Sequence, residues 1–454
     1  MNRLGPQARN GKSEAFQARS PHWRTWFPLR VAPHRASSAT LAGAYPFLAP
    51  APCDTGVYVG MDALTGEPFC FDPWSLYAAG VLTNPNMLLA GVIGQGKSAL
   101  AKSLAVRSIA AGRRVYVPGD PKGEWVAVAE AVGGTVVALG HGVSTRLNPL
   151  DQGPQPRGQD AAAWQALVRG RRLRLLSAVA EVTLGRELRP VEHGALDAAL
   201  TVVEEHDEPT ISNVVHALID PDGTAAVTDG TSAMERASDG RDLAHALRRL
   251  VRGDLAGMFD GPSTEKLNAG APMVVLDLSR IGSDDDALAL AMTCASSWLE
   301  AALASDSGGL RWVVYDEAWR LLRSAPLVRR MQAQWKLSRA HGIANLLVIH
   351  RLSDLEAVGA AGSETRAIAE GLLADCSTRV VYRQETDQLA ATGEALGLTT
   401  TERELLPALP RGTGLWKISG RSYVVRHRLH VDELAVFDTD AAMRDPDRVL
   451  AVGS

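Results

Sequence analysis

Short runs of apolar, often β-branched residues recur along the chain, and stretches with helical spacing separate them. The runs cover residues 86–90, 113–117, 135–139, 273–278, 311–316, 344–349 and 378–382. Continuous apolar runs of this length are typical of strands buried on both faces, and their alternation with helices favours parallel pairing. The pattern therefore predicts an α/β fold built on a mostly parallel sheet.

Two regions depart from this alternation. Segments 416–419 and 422–425, joined through Gly420 and Arg421, predict a hairpin that closes the far edge of the sheet. Residues 151–256 show no strand pattern, whereas helical spacing recurs over 164–180, 195–203 and 243–252. We expect an all-helical lobe inserted into the sheet, with a loop between Asp220 and Arg241 where proline and glycine interrupt the pattern.

Residues 91–98 read G-V-I-G-Q-G-K-S and fit the phosphate-binding pattern G-x-x-x-x-G-K-[ST] at every fixed position. The loop lies between an apolar run and a helix-like stretch, which is the context that the motif requires. Its glycines permit a tight turn that aims backbone N–H groups at an anion. The expected ATP-binding residues are Gly91, Gly94, Gln95, Gly96, Lys97, Ser98 and Ala99. Lys97 would reach the β- and γ-phosphates, and Ser98 would ligate Mg²⁺.

An acidic pair, Asp316 and Glu317, ends the apolar run 312–315. Parallel sheets present their ligands at strand ends, where an aspartate can hold Mg²⁺ and a neighbouring glutamate can polarise the attacking water. Alternatively, the two carboxylates could cap the helix that begins near Ala318. Because the chain also has the phosphate-binding loop, we predict that Asp316 binds metal and Glu317 is the catalytic base.

Polar residues follow other strands as well. Residues 119–125 and 147–151 come after the second and third runs, and both are expected to face the nucleotide side of the sheet. His350 ends the run 344–349, where it could sense the γ-phosphate in a pH-dependent way or serve as a structural histidine.

These patterns divide the chain into six parts. Residues 1–50 are expected to form a flexible basic arm, with seven basic side chains against one acid, and residues 51–85 lead into the core. Residues 86–150 and 257–440 form the two parts of the ATPase core, residues 151–256 form the helical lobe, and residues 441–454 form a tail.

Composition sets limits on the kind of protein. The 454 residues are 46% hydrophobic, no run is long enough for a membrane helix, and the first residues lack the charged-then-apolar pattern of a signal peptide, so we expect a cytoplasmic protein. The net charge of -4 argues against a surface that coats nucleic acid. The arginine-rich segment 169–174 could be a solvated helix face or a patch that follows a phosphate backbone.

In this order the motifs resemble the motor domain of the large cytoplasmic ATPase of type IV secretion and conjugation systems, the VirB/TraC-like members of the FtsK and HerA class of P-loop motors. The resemblance covers about residues 80–440 and is carried by segments 91–98, 120–124, 147–150, 277–279, 316–319, 338–342 and 437–440. The chain looks most like the short members from high-GC Gram-positive bacteria, in which a basic segment and Tyr45-Pro46-Phe47 precede the motor.

The resemblance implies a RecA-like P-loop fold, ATP and Mg²⁺ as cofactors, and a hexameric ring that works with secretion or conjugation components on DNA or protein. It also implies an arginine finger, Arg339, supplied by a neighbouring subunit, with Arg383 as a rival. Family members commonly have Gln where His350 stands, and full-length members have a long N-terminal domain. Association with the inner face of the membrane would then occur through partners.

Two other functions remain open at this point. The chain could be a DNA translocase or coupling protein that grips the strand directly, in which case DNA would stimulate its ATPase activity with a steep salt dependence. It could also be a regulatory or assembly protein that binds ATP without turnover. A protein that only binds ATP does not need a base such as Glu317.

Overall fold

The computed structural model describes residues 55–221, 230–266, 270–303, 309–322, 324–338, 341–350 and 364–437. The strands are β1 Val57–Asp62, β2 Pro68–Phe71, β3 Met87–Ala90, β4 Arg114–Asp120, β5 Thr135–Gly140, β6 Met273–Arg280, β7 Arg311–Tyr315, β8 Ile343–Ile349, β9 Thr378–Val381, β10 Thr413–Ile418 and β11 Arg421–His427. They form one sheet in the order β2-β1-β11-β10-β9-β3-β8-β7-β4-β6-β5.

The sheet is mostly parallel, as the apolar runs predict. The seven strands from β9 to β5 pair in parallel, and β10, β11, β1 and β2 continue the sheet in antiparallel pairs. Every predicted run coincides with one of these strands to within two residues at each end, with one exception. Strand β4 extends three residues beyond its predicted run, to Asp120. The fold class is therefore confirmed as a P-loop NTPase fold with a parallel core.

Helices cover both faces of the sheet. They are α1 Pro73–Ala78, α2 Lys97–Ala110, α3 Val126–Ala131, α4 Ala161–Leu184, α5 Pro190–Val203, α6 Ile211–Ile219, α7 Ala233–Arg252, α8 Asp285–Leu303, α9 Trp319–Leu322, α10 Ala325–Ser338, α11 Glu364–Ala374, α12 Leu389–Ala395, α13 Thr400–Leu405 and α14 Val431–Phe437. Alternate residues of β7 belong to different cores: Val313 and Tyr315 pack on one face, and Trp312 and Val314 on the other. This burial on both sides explains why β7 is apolar from Trp312 to Tyr315.

The inserted lobe consists of α4, α5, α6 and α7, and the described residues between β5 and β6 contain no strand. The prediction of a loop between Asp220 and Arg241 is wrong for its second half, because α7 already begins at Ala233. A capping box starts this helix: the Ser232 side chain accepts from the N–H of Glu235, and the Glu235 carboxylate accepts from the N–H of Ser232. Such a cap can start a helix although the turn that follows is largely polar.

The hairpin β10–β11 is confirmed, but its two-residue turn is Ser419-Gly420 and not Gly420-Arg421, and the hairpin does not close the sheet. Beyond β11 lie β1 and β2, so the expectation that the hairpin forms the far edge is wrong. These two strands are short, with six and four residues, and residues such as Glu67 and Pro68 are exposed. Both strands contain buried apolar residues, Val59, Phe69 and Phe71, but Gly60 and Pro68 weaken their strand pattern in the sequence.

Candidate active site

The phosphate-binding loop connects β3 to α2 through backbone conformations that glycine favours. Gly96, which caps α2, has a φ of +102°, and Gly94 has a φ of +79°. Gly91 packs so closely on β9 that a Cβ atom there would lie 2.6 Å from Cβ of Tyr382. The glycines at these positions are therefore required by the geometry of the loop.

The loop is fastened to its neighbours by backbone hydrogen bonds. The N–H of Val92 donates to the carbonyl oxygen of Arg383 at 3.2 Å, and the N–H of Gly412 donates to that of Gln95 at 2.9 Å. These bonds hold the loop against the end of β9 and the segment that precedes β10. Ser98 and Ala99 lie in the first turn of α2, and both are half-buried.

Lys97 is buried at the start of α2 with its ammonium group turned into the loop. Its Nζ donates to the carbonyl oxygens of Gly91, at 2.5 Å, and Val92, at 3.0 Å. No side chain caps the N-terminus of α2. A 14-residue helix with an uncapped N-terminus, a nearby ammonium group and left-handed glycines provides the donors that a phosphate group needs.

The other expected site residues lie at the same edge of the sheet, since β3, β8, β7 and β4 are parallel neighbours. The loop follows β3, His350 follows β8, Asp316 and Glu317 follow β7, and Asp120 ends β4. The fold thus brings together residues that lie far apart along the sequence, from the loop at 91–98 to His350.

Glu317 is buried and accepts hydrogen bonds from three side chains. Nε2 of His350 donates to Oε1 at 2.8 Å, Nζ of Lys122 also donates to Oε1, and Nε1 of Trp319 donates to Oε2 at 2.6 Å. Burial alone would raise the pKa of this carboxyl, but the three donors outweigh burial and lower the pKa to about 2. The carboxylate is therefore ionised at neutral pH.

The backbone of Glu317 is strained. Its φ of +56° lies in the left-handed region, which only one other described residue that is not glycine adopts. Strain of this kind costs of order 1 kcal/mol and persists where the surroundings hold the residue firmly. It is found disproportionately at functional sites, which agrees with the role predicted for Glu317.

Asp316 is buried and accepts hydrogen bonds from two N–H groups. Its Oδ2 accepts from Nε1 of Trp125 at 3.0 Å, and its Oδ1 accepts from the N–H of Glu317 at 3.1 Å. Burial raises the pKa of Asp316, and the nearby carboxylates of Glu317 and Glu124 raise it further.

Asp120 adds to this concentration of acids. It accepts from the N–H groups of Lys122, Glu124 and Trp125, which shape the loop after β4. Burial and the proximity of Asp316 nevertheless raise the pKa of Asp120 to about 6. Buried carboxylates whose pKa values are raised in this way fit a divalent cation, because a bound metal would favour their ionised forms. The carboxylates of Asp316 and Asp120 therefore suit a divalent cation, and the expected role of Ser98 as a second ligand stays a prediction.

Sequence reasoning did not identify the partners of the acidic pair. Lys122 and Trp125 lie in the segment 119–125 that was expected to face the nucleotide, but no pattern indicated that they contact residues almost 200 positions away. The position of Lys122, two residues beyond the end of β4, was the available signal. His350 contacts Glu317 in this structure, which neither supports nor contradicts its expected role as a phosphate sensor.

Other expected residues lie elsewhere. Arg339 falls outside the described residues, whereas Arg383 is exposed just beyond β9. In the segment 147–150, the Asn148 side chain is buried and bonded to the carbonyl oxygen of Pro209 and the N–H of Leu150. This asparagine joins the chain after β5 to the helical lobe, so its contacts are structural.

No family model and no curated protein sequence matches the chain. Solved structures do. VirB4 of Thermoanaerobacter pseudethanolicus superposes with a TM-score of 0.69 at 21% identity, over 85% of this chain and 100% of that one. The chain shares the VirB4 fold.

The bacterial conjugative coupling protein TrwBdeltaN70, in its trigonal form with sulphate, gives a TM-score of 0.56 at 14% identity, over 88% of this chain and 96% of that one. The plasmid coupling protein TrwB in complex with ADP and Mg²⁺ gives 0.54 at 14% identity, with the same shares covered. Because the sequence identities are this low, the similarity shows a shared fold. The resemblance to secretion and conjugation ATPases is confirmed for the fold. Within the described residues, no helix has the length and apolar character needed to cross a membrane.

Proposed function

We propose that this chain is a Mg²⁺-dependent ATPase that acts as a ring-forming motor in conjugative or type IV secretion-like transfer. The observation that carries the proposal is the buried, ionised and strained Glu317 at the strand end two strands from the phosphate-binding loop. The fold shared with VirB4 and TrwB supports the assignment to conjugation or secretion. A location in the cytoplasm, at the membrane face through partners, belongs to the same proposal.

In the proposed mechanism, Lys97 and the N-terminus of α2 bind the phosphates. The ammonium group of Lys97 would exchange its two loop carbonyls for phosphate oxygens and offset their charge. Ser98 and Asp316 would hold Mg²⁺, which supplies positive charge at the β- and γ-phosphates. The carboxylate of Glu317 would accept a hydrogen bond from the attacking water and orient it in line with the γ-phosphate.

Three donors already fill most of the acceptor capacity of Glu317. Lys122 and His350 share Oε1, and Trp319 binds Oε2, so one acceptor position remains on Oε2. We infer that binding of ATP draws Lys122 or His350 towards the γ-phosphate and opens Oε1 to the attacking water as well. Hydrolysis would then depend on a correctly bound nucleotide.

The test compares ATP turnover by Lys97→Ala and Glu317→Gln with that of the wild type. Lys97→Ala should lose ATP binding and turnover together, because the charge at the phosphates is removed. Glu317→Gln should retain ATP binding but lose about 10²–10⁴-fold in turnover, the usual contribution of a general base. Both the release of phosphate and the equilibrium binding of ATP should be measured.

Matched controls are Lys336→Ala and Glu205→Gln, which remove an exposed lysine and an exposed glutamate outside the site. Both should keep wild-type turnover. Wild-type rates in Lys97→Ala and Glu317→Gln would show that the site is assigned wrongly. Tight ATP binding without measurable turnover in the wild-type chain would instead favour a regulatory protein that binds ATP.

A further inference from the structure

The arginine-rich segment 169–174 is neither a solvated face nor an open basic patch. Arg169 pairs with Asp197 at 2.6 Å, and Arg172 is buried with its guanidinium 2.9 Å from Glu204. Arg171 is only 2% exposed. Two of the arginines therefore point into the molecule, which contradicts both expectations for this segment.

Arg171 lacks the acid that a buried guanidinium normally has. Its Nη2 donates to the carbonyl oxygens of Asp151 and Gln152, but its Nε and Nη1 have no acceptor. Within the described part of the chain, it forms no ion pair with a carboxylate. The nearby carboxylate of Asp151 is bonded to the Ser263 hydroxyl at 2.6 Å. Burial lowers the pKa of Arg171 to about 10, which reflects the cost of an unpaired buried charge.

Arg171 lies in the wall of a cavity of about 180 Å³ between the helical lobe and the sheet. The cavity is lined mainly by α4, α8 and α10 and by β7 and β8, and its apolar wall includes Trp164, Leu299 and Val313. Among the residues that the structure describes, the indole N–H of Trp164 also finds no acceptor, although this side chain is only 1% exposed. An apolar cavity of about 150 Å³ is sufficient for benzene, so a single ring fits here.

A smaller gap of about 10 Å³ adjoins the cavity and shares the residues Arg171, Glu300 and Gln334 with it. Arg174 and Arg330 also line this gap, so three guanidiniums meet one carboxylate, that of Glu300. Arg330 pairs with Glu300 at 3.4 Å, but its own Nε has no acceptor. The gap therefore has more positive than negative charge, and donors without acceptors.

We propose that this cavity binds a small organic anion with a flat apolar body, an aromatic carboxylate in chemical class. The ring would occupy the space beside Trp164, and the carboxylate would face Arg171 and the adjoining gap. A bound carboxylate would supply the hydrogen-bond acceptors that these guanidinium and indole N–H groups lack. Buried donors in proteins are otherwise almost always paired. The ligand would contact Tyr315, the residue that precedes Asp316, and would thus join the lobe to the strand that carries the acidic pair.

The test uses calorimetric titration of the full chain with benzoate and with its neutral analogue benzamide. Benzoate should bind at one site and at least about tenfold more tightly than benzamide, because hydrogen bonds to a charged group are stronger than neutral ones. Arg171→Gln should abolish this preference. Arg241→Gln, which removes an exposed arginine of the same lobe, should leave it intact.

A second variant guards against misfolding of Arg171→Gln. Trp164→Phe keeps an aromatic ring at this position and removes the N–H group, so the chain should still fold. Benzoate should change the tryptophan fluorescence of the wild type but not that of Trp164→Phe. The proposal fails if benzoate shows no saturable binding at about 10 mM, the range of a weak fragment. It also fails if benzamide binds equally well, or if the fluorescence change persists in Trp164→Phe.

Discussion

At the scale of single residues, the candidate site centres on one buried carboxylate, Glu317, and on the three side chains that donate to it. Fixed spacing identifies Lys97 and Ser98, and a strand end followed by two acids identifies Asp316 and Glu317. The donors that hold Glu317 could not be predicted, because Lys122 is 195 positions away and contacts of this kind depend on which strands become neighbours. The strained backbone of Glu317 likewise leaves no signature in the sequence.

The bond between Lys122 and Glu317 gives a prediction for the nucleotide-free protein. In a double-mutant cycle, Lys122→Met and Glu317→Gln should be coupled by about 1 kcal/mol in the free energy of unfolding. The pair involves a buried carboxylate, but the lysine side chain is 49% exposed, so solvent screens part of the attraction. Urea denaturation of the four proteins measures the coupling.

The control for this cycle replaces Lys122→Met by Lys336→Met, an exposed lysine on α10. That pair should be additive within about 0.3 kcal/mol. Additive effects of Lys122→Met and Glu317→Gln as well would mean that the observed contact does not hold Glu317 in the empty site.

At the scale of elements, the apolar runs predicted the strands well because the central strands are buried on both faces. β1 and β2 were missed although they contain buried apolar residues, because Gly60 and Pro68 weaken their strand pattern. The start of α7 was missed because it depends on a cap. Loss of the capping interaction in the helical lobe should therefore have a measurable cost.

Glu192 offers the clearest case in the lobe. Its buried carboxylate accepts from Arg186 at 2.7 and 2.8 Å and from the N–H of Arg189 at the start of α5. The hydrogen bond from Arg186 is the main reason that the pKa of Glu192 is lowered to about 2. Glu192→Gln should cost about 1–3 kcal/mol in the free energy of unfolding at pH 7, which denaturant titration would measure.

The pH dependence of that cost follows from the direction of the shift. A carboxyl whose pKa is lowered on folding stabilises the protein above its unfolded value, about 4.3, and this contribution is lost as the pH falls towards 2. The difference between wild type and Glu192→Gln should thus shrink between about pH 4 and pH 2. Glu205→Gln, at an exposed position, should show no such change, and a pH-independent cost at Glu192 would contradict this account.

At the scale of the whole molecule, the fold was predictable and the assembly is not visible in a single chain. The order of the motifs indicated the fold that VirB4 and TrwB share. The arginine finger expected from a neighbouring subunit, Arg339, lies outside the described residues.

The nature of the cargo can be tested through the ATPase activity. If the chain is a motor that moves DNA directly, adding double- or single-stranded DNA should raise turnover, and the stimulation should fall steeply with added salt as counterions compete. Turnover that DNA leaves unchanged at low salt would exclude the DNA translocase and favour a motor that acts on protein or through partners.

The mass of Glu317→Gln in solution, with and without ATP and Mg²⁺, tests the ring motor most directly. This variant should bind ATP without hydrolysing it, so that neighbouring subunits remain bound across the nucleotide. Light scattering coupled to size exclusion should then show a closed assembly of several copies, six if the family's ring is formed, that appears only when nucleotide is added. A strictly monomeric protein at high concentration with saturating ATP and Mg²⁺ would contradict the account.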